Sequence, residues 1–105
     1  MANFTFKTEK ATGKYRSFYS DDVYIKFRKK VCGEIIERKT DDQKRIYKIR
    51  LQVIKDDKIT DDNPNSIWKW ITLTKEFDIV DDAKTWLKEN KDGIFNKFNL
   101  YFDEE

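Results

Sequence analysis

Hydrophobic and polar positions alternate with a period of two through the first two-thirds of the chain, then switch to helical spacing. Phe4 and Phe6 alternate with polar neighbours. Ala11-Thr12-Gly13-Lys14 supplies a turn, residues 15–19 follow as a short aromatic strand, and Ser20-Asp21-Asp22 turns the chain again. In residues 23–38, Val23, Ile25 and Phe27 fall on one face, and Tyr24, Lys26 and Arg28 on the other. The spacing predicts one long strand here, bent at Cys32-Gly33, because Gly inside a strand marks a bulge or sharp bend. Residues 40–44 form a polar loop without Gly. The alternation is cleanest in residues 45–55, where Tyr47, Ile49, Leu51 and Val53 make an apolar face and Lys48, Arg50 and Gln52 point away.

A long polar loop with the only Pro spans residues 56–66. The next strand, residues 67–75, sets Trp68, Trp70, Thr72 and Thr74 against Ile67, Lys69, Ile71 and Leu73. A helix is expected from Phe77-Asp78 onward, with Asp78 as its cap and Asp81 and Asp82 in the first turn. Lys84, Lys88 and Lys91 follow later, an order that suits the helix dipole. Val80, Ala83, Trp86 and Leu87 recur at helical spacing, so one face packs on the sheet. Gly93 is a natural stop. Residues 94–102 read either as a further helical turn or as a final strand. Strands followed by a helix predict a single α+β domain over residues 1–105. Its antiparallel sheet of four to five strands precedes one C-terminal helix packed on one face.

Composition tests that picture. Charged residues make up 40% of the 105 and apolar residues 38%, which is polar for a folded domain. The 15% that are aromatic compensate, because each ring buries far more surface than Ala or Val. Charge is unevenly placed: residues 1–55 carry 15 Lys and Arg against 7 Asp and Glu, and residues 56–105 carry 7 against 13. The formal +2 therefore conceals a basic half and an acidic half. No apolar run approaches a membrane span or a leader peptide, so a cytoplasmic protein without a membrane partner is expected. A composition rich in Lys, Asn, Asp and Ile points to a phage or a low-GC bacterium.

The residue inventory argues against catalysis. The chain has no His, the commonest general base at neutral pH. Its single Cys, Cys32, has no partner for an intrachain disulfide and no activating neighbour, and is expected to fill the core. The Asp pairs fall in turns and at the helix start. The loop from Asp61 to Ser66 places Asp61, Asn63 and Asn65 at alternating positions, as in a calcium loop. However, Ser66 stands where the turn needs Gly, and Thr72 where a bidentate Glu is needed. No enzyme, cofactor or metal is expected.

What remains is a mixture of basic and aromatic residues on strands. If the apolar faces meet the helix, the opposite face displays Tyr24, Lys26 and Arg28, then Lys48 and Arg50, then Trp68 and Trp70. Cations track a phosphate backbone and rings stack on unpaired bases, with each stacked base contributing on the order of 1–3 kcal/mol. The alternative is an ordinary solvated sheet face, since strands are enriched in Tyr and Trp, and the two Trp residues equally suit a core.

The run YKIRLQV, a polar loop, KWITLTKEF and a helix from Asp78, together residues 47–86, resembles the single-strand-binding fold of the Whirly proteins and the related positive-cofactor transcriptional coactivators. Trp70 stands where that family has Gly. The resemblance implies a homodimer or higher oligomer whose curved sheets grip unpaired DNA. The same segment is similar to the small arm-binding domains of tyrosine integrases, which read duplex DNA with a sheet. Single-stranded DNA is thus the expected partner. The alternatives are a protein partner, met through Asp56, Asp57, Asp61, Asp62 and the C-terminal acids, and an integrase-like duplex contact.

Overall fold

The computed structural model describes residues 2–9, 22–55 and 67–103. The expected aromatic strand at 15–19, the acidic loop with Asp56, Asp57, Asp61 and Asp62, and the last two acids lie outside the described residues. Among the described residues five antiparallel strands run in sequence order: β1 (Thr5–Glu9), β2 (Asp22–Phe27), β3 (Lys30–Lys39), β4 (Arg45–Ile54) and β5 (Trp68–Thr72). Two short helices, α1 (Val80–Glu89) and α2 (Lys91–Lys97), cover one face. This is an α+β fold with an open sheet, as the order of periodicities predicts.

The segment 23–38 is a hairpin rather than one bent strand. The chain reverses at Arg28 and Lys29, whose φ values of 49° and 70° are both left-handed. A two-residue loop between right-twisted strands requires that geometry, and it is usually built from Asn and Gly. Arg-Lys therefore disguised the turn. The Gly33 signal does mark a bulge: the register shifts between Ile25 and Lys26, and Cys32 is the extra residue on β3. A Cβ at Gly33 would lie 2.5 Å from the Arg50 carbonyl oxygen, so β4 can approach only a glycine here.

The core lies between sheet and helices, where Ile25, Ile35, Ile49, Leu51 and Val53 meet Ala83, Leu87 and Ile94. Both periodicities predict this contact. At one end the rings of Phe4, Phe27, Phe95 and Phe102 interlock, with Phe4 and Phe95 stacked at 5.7 Å. This cluster lets a chain of modest apolar content close its interior.

The helical layer differs in detail from expectation. The α1 N-cap is Ile79, with no side-chain cap, so Asp78 does not cap the helix; it pairs instead with Lys44 at 3.4 Å. The break falls at Asn90, whose backbone N–H and Nδ2 both donate to the Trp86 carbonyl. Gly93 lies inside α2 rather than ending a helix.

After α2 the chain runs into the sheet. β3 and β4 pair only as far as Gly33 and Leu51, and residues 99–103 enter where the two strands part. The Ile54 N–H donates to the Asn99 carbonyl, the Tyr101 N–H donates to the Gln52 carbonyl, and Asp103 exchanges two bonds with Val31. Leu100 and Phe102 point into the core, while Tyr101 points to the opposite face. Residues 94–102 thus supply both a helix end and a strand-like wedge. Among the described residues no helix is long and apolar enough to cross a membrane.

Candidate nucleic-acid interface

The sheet face turned away from the helices is ordered by strand register. Lys7, Tyr24, Glu34, Arg50 and Thr72 form one row across all five strands. Gln52 and Trp70 are opposite one another in the next row, and Ile54 and Trp68 in the row beyond. Six of the seven expected residues, Tyr24, Lys26, Lys48, Arg50, Trp68 and Trp70, occupy this outer face. Arg28 does not: it sits in the hairpin turn, its guanidinium 5.4 Å from the Phe27 ring centre. Placing it on the face assumed that β2 continued.

The six do not form one patch. Trp68, Trp70 and Arg50 gather at one end of β4 and β5. Tyr24 and Lys26 lie on β2, two strands from β4 and so about 10 Å away at the usual strand spacing. Glu34 separates Tyr24 from Arg50 in their row, and beyond Gly33 the wedge of residues 99–103 stands between β3 and β4, with the Asp103 carboxylate accepting a 3.0 Å bond from Gln52 Nε2.

Acids from β3 and from the connection between β5 and α1 oppose the expected cations. Glu34 Oε1 lies 3.0 Å from Arg50 Nε, and Glu76 Oε2 lies 3.7 Å from Lys48 Nζ. Both Arg50 and Glu34 are largely covered, so this pair is screened less than a surface pair. Tyr24 titrates above its ordinary value, through partial burial first and then through Asp22, Glu9 and Glu34. The centre of the face is consequently balanced in charge, and its acids were not legible in a strand-by-strand count of cations.

The aromatic end is the distinctive feature. Trp68 and Tyr101 stack with ring centres 5.6 Å apart and planes within 10°. Trp70 stands edge-on to Trp68 at 5.3 Å, and the Arg50 guanidinium lies 3.9 Å above the Trp70 ring. Trp70 is 38% exposed, and Ile54, opposite Trp68 on the same face, is 37% exposed. Arg50, held by Glu34, props the Trp70 indole. Tyr101 was missed because it reaches the platform only through the C-terminal wedge. The out-facing position between Leu100 and Phe102 was its one trace in the sequence.

Cys32 is fully buried, and its thiol hydrogen points to the Ile25 carbonyl at 3.6 Å. Burial pushes the thiol up to about 12, so it is no nucleophile at neutral pH. Among the described residues no cluster of His, Cys, Asp and Glu could hold a metal ion. Comparison with known protein families, curated proteins and solved structures finds no match to this chain.

Proposed function

We propose that this protein binds single-stranded nucleic acid, DNA in the first instance, at the Trp68–Trp70–Tyr101 end of its outer sheet face. The observation that carries this reading is the braced aromatic platform: two stacked, near-parallel rings beside an exposed indole fixed by a guanidinium. Unpaired bases offer flat faces to such rings, whereas duplex bases are already stacked on each other. With Arg50 and Lys48 opposed by Glu34 and Glu76, phosphate contacts are few and stacking supplies most of the affinity. A protein partner is the second reading, favoured by the exposed Ile54 that adjoins the two Trp residues on this face.

Titration with oligo-dT, followed by Trp fluorescence over a range of salt, tests the proposal. Quenching is expected, with a shallow salt dependence worth about one or two phosphates rather than four. Trp70→Ala should weaken binding by about 1–3 kcal/mol with little change in salt slope. Arg50→Ala should weaken it too, mainly by releasing Trp70. Absence of binding to single or double strands at low salt would sink the nucleic-acid reading in favour of the protein partner.

A further inference from the structure

The helix-side surface of β5 carries a second feature, separate from the aromatic platform. A groove of about 550 Å³ opens between β5 and the helices, walled by Ile71, Leu73, Trp86, Ile94 and Phe98. Lys75 and Lys97 stand at its margin, and among the described residues no carboxylate lines it. Lys69 follows on the same face of the strand.

The groove runs beside an edge strand. Leu73 N–H donates to the Ile49 carbonyl and Lys55 N–H to the Ile67 carbonyl, so the odd-numbered residues of β5 bond to β4. The backbone groups of Trp70 and Thr72 consequently point away from the sheet, and no described strand pairs with that side. The other edge is guarded differently: β1 is short, polar and carries the Lys7–Glu9 ion pair. The β5 edge, Trp-Lys-Trp-Ile-Thr, is rich in strand-forming residues and has one charge. Past Leu73 the chain detours, rejoining β4 only where Phe77 bridges Tyr47, so the pairing edge is short.

We infer that the β5 edge and its adjoining groove capture an extended segment of a partner protein that carries apolar and acidic residues in turn at every second position, so that both kinds share the face turned to the groove. Such a segment adds a sixth strand, exchanging backbone bonds with Trp70 and Thr72. One apolar side chain enters the groove between Leu73 and Trp86, and its carboxylates meet Lys69, Lys75 and Lys97. Charge complementarity selects the acidic segment, because the described residues of the groove offer cations and no anion. The same preference excludes a phosphate-free basic peptide and distinguishes this surface from the platform on the opposite face.

Fluorescence anisotropy of a labelled peptide repeating valine-serine-aspartate-serine, which sets valine and aspartate on one face, tests the inference. Two controls accompany it, a valine-serine-lysine-serine repeat and the acidic peptide N-methylated at every second amide. The acidic peptide should bind, and each control should bind at least about tenfold more weakly. A Cβ at Gly93 meets nothing within 4 Å, so Gly93→Phe fills the groove from α2 without displacing a neighbour. It should abolish peptide binding while leaving the oligo-dT titration unchanged. Lys75→Glu with Lys97→Glu should reverse the charge preference and serves if Gly93→Phe misfolds. Equal binding of the N-methylated peptide, or binding indifferent to both variants, would overturn the inference. Self-association without peptide that Gly93→Phe abolishes would also overturn it, assigning the edge to a second copy of the chain.

Discussion

At the scale of single residues, two buried positions define what the fold tolerates. Gly33 has no room for a methyl group, because the Arg50 carbonyl oxygen and Leu51 Cδ2 would lie 2.5 and 3.0 Å from a Cβ. The nearer contact is backbone and cannot rotate away. Gly33→Ala should therefore lower stability by about 2–3 kcal/mol, measured as a shift in urea midpoint at constant slope. A neutral effect would mean that β3 and β4 can part at the bulge. Cys32 is sealed behind the same bulge. Its thiol stays protonated through the neutral range, since burial raises it to about 12. Labelling by a thiol reagent at neutral pH should be far slower than for a model peptide and should accelerate only on unfolding. Fast labelling of the native protein would contradict its burial.

At the scale of elements, the hairpin between β2 and β3 carries local strain. Arg28 and Lys29 hold left-handed backbone angles that residues with a Cβ disfavour by roughly 1–2 kcal/mol each. Replacing them together, Arg28→Asn and Lys29→Gly, should stabilise the protein by about 1–2 kcal/mol, read from thermal or denaturant unfolding. The same variant tests the role first expected for Arg28. Because the Arg28 guanidinium lies by the Phe27 ring and not at the platform, oligo-dT affinity should hold while stability rises. A marked loss of affinity would return Arg28 to the interface and widen the binding surface to the hairpin tip.

At the scale of the whole molecule, the C-terminal wedge joins the two faces of the sheet. Leu100 is buried beneath β4, Phe102 completes the phenylalanine cluster, and Tyr101 stacks on Trp68 from the other side. One strand-like segment thus closes the core and builds the platform. Leu100→Ala should cost about 2–4 kcal/mol of stability and also weaken oligo-dT binding, because the wedge that carries Tyr101 loosens. Tyr101→Ala should weaken binding with much less effect on stability. If Leu100→Ala lowered stability yet left binding intact, platform and wedge would be independent.

The alternation in residues 45–55, the helical spacing of Val80, Ala83 and Leu87, and the sharing of one strand face by Trp68 and Trp70 follow from sequence alone, whereas which face of β5 turns outward is decided by the fold. Each reflects the local geometry of one element, and burial of the apolar face decides which side turns inward. The hairpin at Arg28-Lys29 was hidden because its left-handed turn is formed without Asn or Gly, against local preference. Asn90 breaks the helical layer through bonds back to Trp86, and Gly93 takes helical backbone because packing outweighs a weak propensity. The site divides in the same way. Its cations were visible one strand at a time, but their neutralisation by Glu34 and Glu76 depends on register across strands distant in sequence. Tyr101 joins Trp68 only because β3 and β4 part and admit the chain's end, a long-range event that no local pattern encodes.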